Sequence, residues 1–451
     1  MERQTFTSRL EKFFWVFLFI NPFLDIISGF FLKVISEVGV LDVETAQASI
    51  TPSLVVRMVM LLIFALYVLL IRDKKAILAV LPIGAAWAFS MVSEYMFMGE
   101  LSLFIDIQYM ARFCYNVAVL FVYSRVFRGI GDDRDALLKK LDKLIAFTLI
   151  ILTASIIISM FLGVGYDTYA DRKGYRGFRG FFYAGNDITA ILLLLMPISM
   201  AKFMRMDRKN LRIPEFLLYL LPAPMAANAM LIIGTKTAFL AFAAAHAGLL
   251  IYALTAHFKG RDSHLLRGFL WHIAAFAGIF GILLIFTKME IFYGILMSLN
   301  IIGEIFEEEG ADMVLLSGRQ IKFREHIALF KTGGVMQWLF GMGRGSRVFI
   351  LEMDIFEVFF YYGITGLFAM LWIYVKAGLD FLKRLTKRFD VVACALMISL
   401  ALCAGYLIMA GHILFSVTSG FYFIFTILYS RVYFADKPDD ILILPDKLNR
   451  K

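Results

Sequence analysis

Apolar residues in this chain fall into blocks of about twenty, separated by short polar stretches, and that length is what an α-helix needs to cross the hydrocarbon core of a bilayer. The blocks predict twelve spans, at 13–36, 53–71, 76–98, 102–124, 144–163, 185–203, 215–233, 237–256, 267–287, 354–375, 391–411 and 415–433. The expected fold is therefore an all-α polytopic membrane protein, with one membrane domain over residues 1–434. A polar tail follows over 435–451 and is expected to be loosely ordered. The first block exceeds the apolar core of a signal peptide and no small-x-small cleavage pattern follows it, so it is expected to remain as the first helix.

Composition narrows the class further. Of 451 residues, 61% are hydrophobic and only 18% charged, which excludes an ordinary soluble domain, a disordered chain and the fibrous classes. Cys114, Cys394 and Cys403 lie inside apolar runs and read as small hydrophobes, so neither a disulfide framework nor a cysteine metal site is expected. No repeat of 20–50 residues points to a solenoid.

The net charge of +9 is a statement about topology before it is one about partners. About thirty of the 45 Lys and Arg fall in or beside one alternate set of connectors and about thirteen in or beside the other, counting those within a few residues of a span's end with the connector they adjoin, which leaves Arg57 and Arg112 deeper within spans. The positive-inside rule then places both termini in the cytoplasm. Basic connectors such as Arg72-Asp73-Lys74-Lys75 are expected to touch anionic head groups, and no nucleic-acid partner is expected. Asp25 and Arg57 both fall in the outer halves of their spans and are expected to form an ion pair of mainly structural use.

Two outer segments are more than connections. The stretch 164–184 places Arg172, Lys173, Arg176 and Arg179 among Tyr175, Phe178, Phe181, Phe182 and Tyr183, on the side where cations are otherwise sparse. Guanidinium forks match phosphate oxygens, and aromatic faces suit sugar rings or acyl chains, so the loop suits a lipid-linked phospho-sugar. The segment 288–353, between the ninth and tenth spans, is far longer than a usual connection and implies substructure of its own. Within it, 320–331 has helical spacing, with Ile321, Phe323, Ile327, Ala328 and Phe330 largely on one flank, so an amphipathic helix lying near the outer surface is expected. Arg319 opens that helix. Glu352 and Asp354 stand where the loop enters the tenth span: one suits a general base, the other a helix cap. Lys236, in a tight outer turn, and His412, at the outer end of the eleventh span, are further candidates for a cationic group and a base.

The motifs of soluble enzymes are missing. There is no phosphate-binding G-x-x-x-x-G-K-[ST], no H-E-x-x-H, no C-x-x-C and no G-x-S-x-G. Nucleotide hydrolysis is not expected, nor a cofactor or a metal.

In order and spacing, the outer residues from about 170 to 370 resemble the O-antigen ligase and O-antigen polymerase (Wzy-type) superfamily of bacterial membrane glycosyltransferases. The resemblance rests on Arg176-Gly177-Phe178-Arg179-Gly180 through Asn186 leading into a span with Pro197, and on Gly234-Thr235-Lys236-Thr237-Ala238. It continues with Ser317-Gly318-Arg319, with Gly341-Met342-Gly343-Arg344-Gly345, and with Glu352 through Tyr362-Gly363-Ile364-Thr365-Gly366-Leu367. It implies a GT-C-like fold of about twelve helices with a large extracytoplasmic loop between helices nine and ten, in the bacterial plasma membrane. It also implies inverting transfer of a glycan from an undecaprenyl-diphosphate-linked oligosaccharide, without a nucleotide. In family terms Arg176 or Arg179 and Arg319 hold the diphosphate, with Lys236 and Asn186 in the matching motifs. Glu352 stands where the family's loop histidine is expected. That departure favours a polysaccharide polymerase with an acidic base at Glu352 or Asp354 over a ligase of finished polymer; a flippase of lipid-linked sugars is the reading from another class. Expected partners are the lipid-linked donor, the bilayer, and polysaccharide export and chain-length machinery.

Overall fold

The computed structural model describes residues 2–37, 51–99, 101–130, 133–168, 177–206, 212–344 and 351–444. Every apolar block carries helix. In chain order these are α1 (Glu2–Glu37), α2 (Pro52–Ile71), α3 (Lys74–Met98), α4 (Leu103–Arg128), α5 (Arg134–Phe161), α6 (Gly185–Arg205), α7 (Ile213–Leu220) with α8 (Pro222–Ile233) in one block, α9 (Lys236–Phe258) and α10 (Ser263–Phe286). After the long loop come α15 (Asp354–Leu385), α16 (Val391–Met409) and α17 (Ser419–Tyr433). The loop itself folds into α11 (Glu290–Glu309), α12 (Ala311–Leu316), α13 (Arg319–Lys331) and α14 (Val335–Phe340). Among the described residues the only extended pairing is an isolated bridge between Asp167 and Phe178.

Among the described residues, ten stretches are long and apolar enough to cross a bilayer by length and composition. The other two blocks fall short for visible reasons. In α4, Asp106, Gln108, Arg112 and Asn116 dilute the apolar run, and α17 has only 15 residues.

The packing is that of a protein whose solvent is lipid. Large apolar side chains such as Leu62, Ile285 and Phe368 face outward, whereas Arg57, Glu94, Asp106 and Glu357 are enclosed. Lipid tails are as apolar as leucine, so helix association rests on close packing and on interior polar contacts. At the centre stands α6, almost wholly buried, with α8, α9, α10, α16 and α17 packed around it. Pro197 lies inside it, as prolines can in helices enclosed by other helices.

Two expectations are corrected. The helix at 319–331 is present, but Ile321 and Ala328 are exposed and the buried flank is built on Phe323, His326 and Phe330. The reason is aromatic: the rings of Phe323 and Phe330 meet Phe356, Phe359 and Phe360 of α15 at 5.1–5.6 Å, and His326 Nε2 lies 3.0 Å from the Tyr361 hydroxyl. The second is the tail. Residues 435–444 are packed, with Ile441, Leu442 and Ile443 buried, because Arg384 donates to the Asp440 carbonyl and Arg431 to those of Ile441 and Leu442. Residues 445–451 lie outside the described residues.

Candidate functional site: a cationic cavity at one end of the bundle

A cavity of about 660 Å³ lies at the end of the bundle where α6, α9 and α13 begin and α16 ends. Its cationic wall is assembled by backbone geometry. The segment 177–184 docks on the turn between α8 and α9, where the Phe178 N–H donates to the Ile232 carbonyl at 2.8 Å. Gly177, at φ +76°, permits this approach: a β-carbon there would lie 2.0 Å from the Ile233 carbonyl oxygen. Phe178 and Phe182 are buried as a result, and Arg179 is held beside the first residue of α6, its guanidinium 5.6 Å from the centre of the Tyr166 ring.

The facing wall comes from α9 and the loop helices. Thr235 caps α9 by accepting from the Ala238 N–H, which places Lys236 at the first helical position. Its Nζ donates to the Val314 and Met313 carbonyls and the Ser317 hydroxyl at 3.1–3.4 Å, fastening the end of α12 to the cavity. Arg319 then opens α13, and its Nη2 meets Glu352 Oε2 at 2.5 Å. Glu352 itself has φ +59°, and its N–H donates to Glu357 Oε1 at 2.9 Å.

Of the residues singled out from sequence, Arg179, Asn186, Lys236, Arg319, Glu352 and His412 all line this one cavity. Arg176 lies outside the described residues. Asp354 is not on the wall. It is fully buried, and its Oδ2 accepts from the N–H groups of Ile413 and Leu414 at 2.7 and 3.2 Å. Nor does it cap α15: Met353 holds the cap position and Asp354 is the first helical residue. The connection after α16 has no helical partners for its N–H groups, and the carboxylate supplies one.

Sequence reading did not assign Arg112 and Asp187 to the site, yet both line the cavity. Asp187 accepts from the hydroxyls of Ser416 and Ser419 at 2.7 and 2.5 Å, tying the start of α6 to that of α17. For Arg112 the signal was present, since a cation within an apolar block is expensive unless used. The expected Asp25–Arg57 pair exists, with both carboxylate oxygens accepting from Arg57 at 2.7 and 2.8 Å. Asp25 also lines the cavity, but Arg57 answers its charge, as Arg319 answers that of Glu352.

Such a wall can hold a polyanion with several fixed donors at once. In a site of low dielectric the same donors stabilise negative charge that develops on a leaving group. His412, with a side chain 24% exposed, brings an imidazole to the same space.

No curated protein and no solved structure matches the chain. The sequence model of a family described as O-antigen ligase like membrane protein matches residues 7–304 and 303–436. Those segments take in all twelve apolar blocks and every cavity residue discussed above, so the chain belongs to the family of O-antigen ligase like membrane proteins, multi-pass membrane enzymes of glycosyltransferase type.

Proposed function

We propose that this protein is a polysaccharide polymerase on the outer face of a bacterial plasma membrane, transferring a glycan from an undecaprenyl-diphosphate-linked donor to a hydroxyl of an acceptor sugar. One observation carries the reading. Arg179, Lys236 and Arg319, from three distant segments, meet on the wall of a single cavity with His412. On this reading the acceptor oxygen bonds to the anomeric carbon as the bond from that carbon to the diphosphate oxygen breaks, with inversion. The diphosphate leaves with an added negative charge, which the guanidinium groups receive. His412 takes the hydroxyl proton. Glu352, 2.5 Å from Arg319, fixes that guanidinium. Ile301, Ile302 and Ile305 of α11 give the cavity an apolar margin for the polyprenyl chain. The product passes to export and chain-length machinery.

The test is polymer formation by Arg179→Ala and Arg319→Ala in cells lacking the native copy. Protein level and membrane insertion are expected to persist while chain lengthening falls by about 10²–10³ for each, the usual effect of removing one such donor. Normal polymer from both variants would overturn the assignment. The cells lacking the protein separate polymerase from ligase: a polymerase leaves single repeats on the carrier, whereas a ligase leaves long polymer on it.

A further inference from the structure

Against the inner side of the cavity wall, Asp354, Glu357 and His412 each bring one ligand-type atom within 4.8 Å of the other two. Both acids are fully buried. Their remaining oxygens are committed: Asp354 Oδ2 accepts from Ile413 and Leu414, and Glu357 Oε1 from the Glu352 N–H. The spare atoms, Asp354 Oδ1, Glu357 Oε2 and His412 Nδ1, have no hydrogen-bond partner among the described residues. Glu357 Oε2 and His412 Nδ1 stand 3.9 Å apart, too far to share a proton directly. Arg344, stacked 4.4 Å from the centre of the Tyr109 ring, acts electrostatically on Glu357, and His412 on Asp354.

We propose that these three side chains form a binding site for one divalent metal cation. An imidazole and two carboxylates suit an ion of the Zn²⁺ or Mn²⁺ class, with water from the cavity completing the coordination. Bonds of about 2.0–2.2 Å require the three atoms to close in on a common centre. His412 supplies most of that movement, because it belongs to the connection after α16 and is the one member of the set that is not fully enclosed. Sequence motifs for metals could not show the site, since its ligands come from two segments more than fifty residues apart. The site does not rest on the sugar-transfer reading, but the two compete for His412: an imidazole that holds a cation at Nδ1 keeps its proton on Nε2 and cannot take the one from the acceptor hydroxyl, so loading the ion is expected to oppose transfer.

The test uses the purified full-length protein in detergent, stripped with a chelator and then equilibrated separately with Mn²⁺ and Zn²⁺. Metal per chain is read by mass spectrometry, and bound Mn²⁺ also by electron paramagnetic resonance. One ion per chain is expected for at least one metal, with affinity at least about tenfold weaker in Asp354→Asn and Glu357→Gln, an effect usual for lost metal contacts. Both replacements keep an oxygen for the N–H groups now served; should either fail to fold, His412→Ala at the cavity edge decides, with the same loss expected. Arg179→Ala should keep the ion even where it ends polymer formation, so the metal site and the sugar-transfer reading can fail separately. Fewer than about one ion per ten chains from either metal, or binding unchanged in the ligand variants, would overturn the proposal and leave the three atoms around a water.

Discussion

At the scale of single residues, Arg57 shows what keeps a charge inside a bundle facing lipid. It is fully buried, and besides both oxygens of Asp25 it donates to Asn21 Oδ1 at 2.9 and 3.3 Å and to the Thr418 hydroxyl at 2.9 Å. Removing one partner of a buried pair leaves the other uncompensated, so Arg57→Met is expected to destabilise the protein by about 3–5 kcal/mol. Thermal unfolding in detergent measures this, and adding Asp25→Asn should restore much of the midpoint. A double variant no better than the single one would show that a stranded charge is not the cause. Glu352 allows a sharper test of role. As the residue that orients Arg319 it should tolerate Glu352→Gln with a polymer rate reduced by about tenfold or less, whereas loss of a general base costs about 10²–10⁴. The Asp25–Arg57 pair was readable in the sequence because ionisable residues stand out in apolar blocks. The pairing of Glu352 with Arg319 was not, since chain separation gives no distance between a loop residue and a helix start.

At the scale of elements, the long apolar blocks were legible because bilayer thickness fixes their length; each carries helix, although α1 and α5 start about ten residues earlier and α15 ends about ten residues later than the apolar run, where the helix continues into polar sequence. The loop helices α11, α12 and α14 were not, because their length answers to local packing alone; for α13 the period was visible and the buried flank was not, since rings of α15 select it. The break in α15 shows how such packing acts. Gly363 sits within that helix at φ +65°, and a β-carbon there would lie 2.4 Å from the Leu339 carbonyl oxygen at the end of α14. Gly363→Ala therefore combines backbone strain with a backbone clash and is expected to cost at least about 1–3 kcal/mol. Hydrogen exchange should locate the damage, with faster exchange in 335–342 and little change in α6. Uniform loosening across the bundle would argue against a local contact.

At the scale of the whole molecule, the question is whether α4 and α17 cross the bundle although neither is apolar or long enough to qualify by composition. Their ends answer it. α3 starts beside Arg72 and runs away from it, and α4 returns far enough for Arg125 to meet Asp73 at 2.7 Å. α17 leaves the cavity at Ser419, hydrogen-bonded to Asp187, and ends at Tyr433, whose hydroxyl reaches Asp390 at the far end of α16. Both helices therefore traverse from one end to the other, and twelve crossings return the carboxyl terminus to the side of the amino terminus. That side carries the basic connectors, among them Arg72, Lys74, Lys75, Arg125 and Arg128 around a second cavity, and a membrane potential with anionic inner lipids favours it in the cytoplasm. A fluorescent protein fused after Lys451 should thus be bright, and alkaline phosphatase fused after Gly333, between α13 and α14, should be active. A silent phosphatase at 333 with a bright carboxyl-terminal fusion would mean an even number of crossings between the two in place of the three made by α15, α16 and α17, and the cavity would then face a compartment where no finished lipid-linked repeat is presented.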